Sequence, residues 1–219
     1  NIIAALFITT LKKDAGSQLK SVVPFLFFSK QDRYVAVANS ATTAINECFP
    51  SEEKQQLAVD TFGGDVVAIC LQILSKTHKL VAPQKFTEEE TDVQRQTRLI
   101  AQSINTLESF IECAPGLFET IGPQFASSAT FNSLMNMDPA VKAAAFRLLK
   151  KLVQKDVKLI LGTRIPSYIL QNLSAEDILL CRNVFECFLV AGSNPQFFEA
   201  CKVDKAVIPR MLNLVRKKG

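Results

Sequence analysis

The run Asp138-Pro139-Ala140-Val141-Lys142-Ala143-Ala144-Ala145-Phe146-Arg147-Leu148-Leu149-Lys150-Lys151-Leu152-Val153 constrains the fold more than any other stretch. Asp138 suits an N-cap, because its carboxylate accepts hydrogen bonds from the unpaired amides of a first turn. Pro139 then takes the first helical position, where a missing N–H is harmless and the fixed φ already fits. At about 100° per residue, Val141, Ala145, Leu148, Leu149, Leu152 and Val153 share one broad arc. Arg147, Lys150, Lys151 and Gln154 fall on the other side. The alanines admit a close neighbour, and so wide an apolar arc implies more than one.

The rest of the chain repeats this helical grammar. Residues 1–13 read as a helix, with Asp14-Ala15-Gly16 as its break. Gln18 to Phe28 form a second helix that Pro24 should kink or restart. Phe25-Leu26-Phe27-Phe28 is too apolar for a free surface and reads as a core plug. Asp32 is expected to cap a helix from Val35 to Cys48, stopped by Pro50. Ser51-Glu52-Glu53-Lys54 opens another, its acids placed to suit the helix dipole. Gly63-Gly64 should interrupt that helix, with Asp65 capping a continuation to about Lys76. Lys79 to Glu90 reads as an exposed loop. Thr87 is expected to cap a long helix burying Val93, Leu99, Ile100, Ile104, Leu107, Phe110 and Ile111. Pro115, Gly116, Gly122 and Pro123 cut the next stretch into a short helix and a turn. Ser128–Met135 and Asp138–Lys155 look like the arms of one hairpin. Pro166 starts a short helix, Ser174 to Asp177 open a run from Ile178 to Leu189, Asn194-Pro195 begin a short helix, and Val203 to Val215 form the last.

No segment alternates with period two, so the chain is expected to be all-α. An Asp-Pro start, small residues midway and leucines later mark the inner helices of HEAT-type repeats, although an ordinary bundle helix can carry the same marks. The irregular helix–turn–helix rhythm favours an α-solenoid of irregular HEAT/armadillo-type helical hairpins, a single domain over residues 1–219.

Little in the sequence points to chemistry. His78 is the only histidine, and Cys48, Cys70, Cys113, Cys181, Cys187 and Cys201 form no close pair, so neither a nucleophile–base couple nor a zinc cluster is expected. Buried free thiols in a reducing cytosol are the plain reading. No Gly-rich phosphate loop is present, and Glu52-Glu53 is explained by its helix start. The apolar start Asn1 to Ile8 is far short of the about 20 residues a membrane span needs and reads as a helix end. No catalytic residue, cofactor, small-molecule substrate or membrane is expected, and the chain should be a monomer.

The basic residues are more suggestive. Arg147, Lys150 and Lys151 share a face of the central helix, Lys155 and Lys158 lie just beyond it, and Arg210, Arg216, Lys217 and Lys218 gather near residue 219. The acids concentrate between Glu47 and Asp92. Such segregation can meet a phosphate backbone through unspecific attraction. The plainer explanation is a solvated helix face with lysines favoured near a helix C-terminus.

Several stretches resemble the N-terminal domain of the listerin family, large RING-type E3 ubiquitin ligases of ribosome-associated quality control. Leu19-Lys20-Ser21-Val22-Val23-Pro24-Phe25-Leu26-Phe27-Phe28-Ser29-Lys30-Gln31-Asp32 is similar to that family's Leu-Lys…Pro, aromatic cluster and Ser-Gln turn, with Leu26 and Phe27 in place of a tryptophan pair. Ala41 to Glu53, through Phe49-Pro50, is similar to a helix closing on Phe-Pro before an acidic restart. Asp138 to Val153 and Ala206 to Arg216 continue the likeness. The resemblance implies a ribosome-docking domain of a ligase that ubiquitinates nascent chains stalled on large (60S) subunits. It also implies a partner of the nuclear export mediator factor type, and a zinc-binding RING far beyond this chain. It transfers no individual contact residue. The competing reading is a generic HEAT scaffold or adaptor that grips a protein helix or peptide in an apolar groove.

Overall fold

A computed structural model describes residues 16–83, 90–201, 207–209, 212 and 216. Among them the secondary structure is helical, as expected, and arranged in hairpins of HEAT/armadillo type. The order is α1 (Gly16–Ser29), α2 (Val35–Cys48), α3 (Glu52–Leu74), α4 (Asp92–Cys113), α5 (Phe118–Phe125), α6 (Ser128–Met135), α7 (Pro139–Lys155), α8 (Ile165–Asn172), α9 (Ile178–Gly192) and α10 (Pro195–Cys201). Short 3₁₀ turns stand at Lys79–Val81, Pro115–Leu117 and Val157–Leu159. The chain folds as two compact units, residues 1–121 and 122–219. The helix read over residues 1–13 lies outside the described residues.

In unit 1, α3 and α4 run antiparallel. Gln56, near the start of α3, donates to the carbonyl of Cys113 at the end of α4, while Arg95 at the start of α4 donates to the carbonyls of Leu80 and Ala82 just past α3. α1 packs on both. Leu26, Phe27 and Phe28 are buried as the expected core plug, and Phe27 meets Phe110 edge-on at 5.8 Å. Pro24 does not restart α1, which runs unbroken through it. The one carbonyl it strands belongs to Lys20, which is exposed to water.

Five further expectations give way here. α3 is not broken at Gly63-Gly64 but passes through both. A Cβ on Gly63 would stand 3.0 Å from Leu117 and 3.2 Å from the Phe110 ring, so this glycine permits a close helix approach. Asp32 does not cap α2. Tyr34 occupies that position without a side-chain bond, and Asp32 accepts from the Tyr34 amide while reaching Arg98 at 3.5 Å. The cap of α4 is Thr91, in a reciprocal capping box with Gln94; Thr87 lies outside the described residues. Val93, placed on the buried face by periodicity, is 74% exposed, while Arg95, two positions on, is buried against the carbonyls of Leu80 and Ala82. Finally, residues 79–83 are not a free loop: Arg95 and Gln96 hold the carbonyls of Leu80, Val81 and Ala82 in succession. The stretch Glu52–Val81 is long and apolar enough to cross a bilayer, yet half of it is buried inside the protein, as in a core helix.

In unit 2, α7 is the axis. Asp138 caps it by accepting from the Val141 amide at 2.9 Å, with Pro139 in the first turn, as its sequence predicts. Its principal partner is α9, brought close by Ala143, Ala144 and Ala145. Phe131 stacks edge-on between Phe125 and Phe146 at 5.9 and 5.7 Å, and Phe188 meets Phe197 at 6.0 Å. Gly162, at φ +80°, makes the left-handed turn ahead of α8. Val207, Ile208, Pro209, Leu212 and Arg216 are helical, in keeping with a last helix there.

The two glycines of α3 are expected to respond oppositely. Gly64 faces open space, so Gly64→Ala should raise stability by about 1 kcal/mol through helix propensity. Gly63→Ala should forfeit that gain, since Leu117 and the Phe110 ring must yield. Denaturant unfolding of the two variants checks this, and equal gains would contradict the packing role of Gly63.

Candidate basic interface

Residues with catalytic or ligating potential are turned to structural use. His78 Nδ1 accepts from the Leu80 amide at 3.2 Å, its ring lies 6.1 Å from Phe25, and burial together with Lys79 lowers its pKa. All six cysteines are free thiols, with Cys70, Cys187 and Cys201 buried and the others half-buried. Burial pushes the Cys187 thiol up to about 12 and that of Cys201 to about 11, away from thiolate character. Among the described residues no group of three or more His, Cys, Asp or Glu is placed to hold a metal. A cavity of about 290 Å³ in unit 1 is floored by Phe27, Ile45, Val59 and Phe110. Its rim carries Gln55 and Gln56, and its titratable groups are Lys30, Glu52 and Cys113, the last raised by burial.

Charge divides between the units more sharply than the sequence motifs suggest. Residues 122–219 hold 14 Lys and Arg against 7 Asp and Glu, a net +7, whereas residues 1–121 hold 11 against 14, a net −3.

The basic candidates fall into three groups. Arg147, Lys150 and Lys151 share the incompletely buried arc of α7 and are themselves half-buried. Lys150 is committed: its Nζ donates to Glu186 of α9 at 2.8 Å, and Glu186 also accepts from Arg182 at 2.9 Å. Those two bonds, Lys150 first, hold the Glu186 carboxyl below the usual carboxylate range. The sequence displays the Arg182–Glu186 spacing of four along a helix but not its junction with Lys150, which exists only because α7 lies on α9.

Lys155 and Lys158 form the second group and are exposed. They border an open groove of about 650 Å³ where α7 and α9 both end, with Val153, Val157, Leu189 and Val190 along its base. Two helix C-termini place partial negative charge there, which stabilises the lysines without any ligand. Arg216, the third position, is exposed in the last helical stretch; Arg210 and Lys217 lie outside the described residues. The structure therefore brings Lys155 and Lys158 to one groove and Lys150 into an ion-pair lattice.

Comparison with known proteins matches residues 1–219 to the family described as E3 ubiquitin-protein ligase listerin, N-terminal domain. The E3 ubiquitin-protein ligase listerin of Caenorhabditis elegans is 29% identical over 97% of this chain, and that of Caenorhabditis briggsae 26% over 98%. The chain spans 15% of the length of each.

The Glu186 lattice makes a signed prediction. A carboxyl whose pKa is depressed by folding adds stability above its unfolded value, near 4.3, and loses that contribution as pH falls through the lowered value. Glu186→Gln is expected to cost about 0.5 kcal/mol at pH 7, where the pairs are partly exposed, and nothing at pH 2. Denaturant titrations at the two pH values decide this; a pH-independent difference would contradict the ion-pair account.

Proposed function

Since the chain belongs to the family of listerin N-terminal domains, we propose that it is the ribosome-docking end of an E3 ubiquitin ligase acting on nascent chains stalled on large (60S) subunits. In this reading the domain itself is non-catalytic and needs no cofactor. Ubiquitin transfer belongs to a zinc-binding RING elsewhere in the polypeptide, and the setting is the cytosol. A factor of the nuclear export mediator type is the second partner. The observation that carries the reading is the +7 charge of residues 122–219 against −3 in the rest of the chain.

Ribosomal RNA presents closely spaced phosphates, and a basic unit meets them by releasing condensed counterions, with no need for a cleft. Lys155, the last residue of α7, and Lys158, in the 3₁₀ turn that follows, are both exposed and are the described positions we take to begin such contact. Lys150 and Arg182 are held by Glu186 and contribute less.

The test is cosedimentation of the chain with purified large subunits across a salt series. Affinity should fall steeply with salt, and Lys155→Glu with Lys158→Glu should weaken binding at least tenfold and flatten the log–log salt slope by about one unit for each phosphate no longer neutralised. Binding that tolerates salt and ignores both reversals would favour an apolar groove gripping a peptide instead.

A further inference from the structure

Helix α9 is apolar on both of its faces. Leu180, Val184, Cys187, Phe188 and Ala191 are buried among α7, α8 and α10. On the other side Ile178, Leu179, Phe185 and Leu189 reach solvent, Ile178 by 85% and Leu189 by 56%. At about 100° per residue these four occupy one arc of roughly 120° over three turns, shared with Arg182 and Glu186. A surface helix ordinarily gives its second face to polar side chains, and a helix apolar all round is a buried one. The exposed apolar residues of unit 1 lie scattered, at the start of α2 (Tyr34, Val35), on α3 (Leu57) and on α4 (Val93), which is ordinary; a stripe along one helix is not. Ile208 and Leu212, one turn apart in the last helical stretch, are exposed as well.

Three observations select the occupant. The charges along the stripe are few and mutually engaged, Arg182 and Lys150 sharing Glu186 with a net charge of only +1, so this face is chiefly apolar. Four side chains over three turns amount to an apolar area on the order of 500 Å², short of the about 800 Å² per partner that separate chains need. A tethered segment needs less, because the chain itself supplies a high effective concentration. Stacked hairpins cover one another's apolar flanks, and only a terminal hairpin carries a polar outer face, which α9 lacks. The family relatives, moreover, carry 85% of their length outside the matched domain.

We infer that the stripe Ile178–Phe185–Leu189 is the seat of a further helical hairpin of the same polypeptide, C-terminal to residue 219, whose own apolar flank packs onto it. The inference rests on family membership and not on ribosome docking.

The test is thiol labelling of single-cysteine positions. Leu189→Cys is made in the 219-residue chain and in the full-length chain, with Leu57→Cys as the exposed control, and maleimide uptake is followed peptide by peptide so that native cysteines do not interfere. The expected result is at least tenfold slower labelling of Leu189→Cys in the full-length chain, with Leu57→Cys equal in both. Equal labelling of Leu189→Cys in the two chains would overturn the inference. Protection already in the 219-residue chain that grows with its concentration would overturn it too, by making a second copy the occupant. No ribosome enters the measurement, so its failure leaves the docking reading standing, and a failed cosedimentation leaves this one.

Discussion

The seating of α9 on α7 is the constraint that governs the rest of unit 2. Asn183 of α9 fixes the register by donating to the carbonyl of Ala143 in α7 at 3.0 Å. Asn183 is 7% exposed, so a one-turn slide would strand its amide in an apolar setting, a loss of about 1–3 kcal/mol. With that register set, Glu186 necessarily arrives opposite Lys150, and Ile178, Phe185 and Leu189 necessarily point away from the core. One buried amide thus decides both which lysine is neutralised and which apolar side chains are left outside.

This geometry sets two kinds of surface side by side on one helix pair, with Leu189 common to both. Along the middle, Lys150 and Arg182 share Glu186 and are framed by apolar side chains, which suits contact with protein. At the C-terminal ends of both helices, Lys155 and Lys158 stand exposed around an open groove that Asp156 and Leu189 also line.

How much of this was legible in the sequence depended on the range of the interaction. The cap and proline of α7, the Ser51 cap of α3, the aromatic plug at Leu26 to Phe28 and the helix after Pro166 were legible because each is decided within a few residues. Gly63-Gly64 misled because Gly63 serves the close approach of Phe110 and Leu117 rather than a break, and Gly64, which faces open space, is carried along in the same helix. Thr87 and Thr91 offer similar local chemistry, with Glu90 and Gln94 each three residues on; Glu90 is engaged by Arg98, and the box closes between Thr91 and Gln94. Val93 obeys the helical period of α4 yet stays exposed. Asp32 was drawn from capping by Arg98, a residue 66 positions away. The basic positions were visible as residue types, but the capture of Lys150 by Glu186 was not, since no local pattern records which helix faces which.

The most direct measurement is lysine footprinting on the complex: reductive methylation of the chain free and bound to large ribosomal subunits, read residue by residue. Lys155 and Lys158 are expected to lose reactivity on binding while Lys54 and Lys76 of unit 1 keep theirs. Protection of Lys54 and Lys76 with Lys155 and Lys158 unchanged would contradict docking through the basic unit.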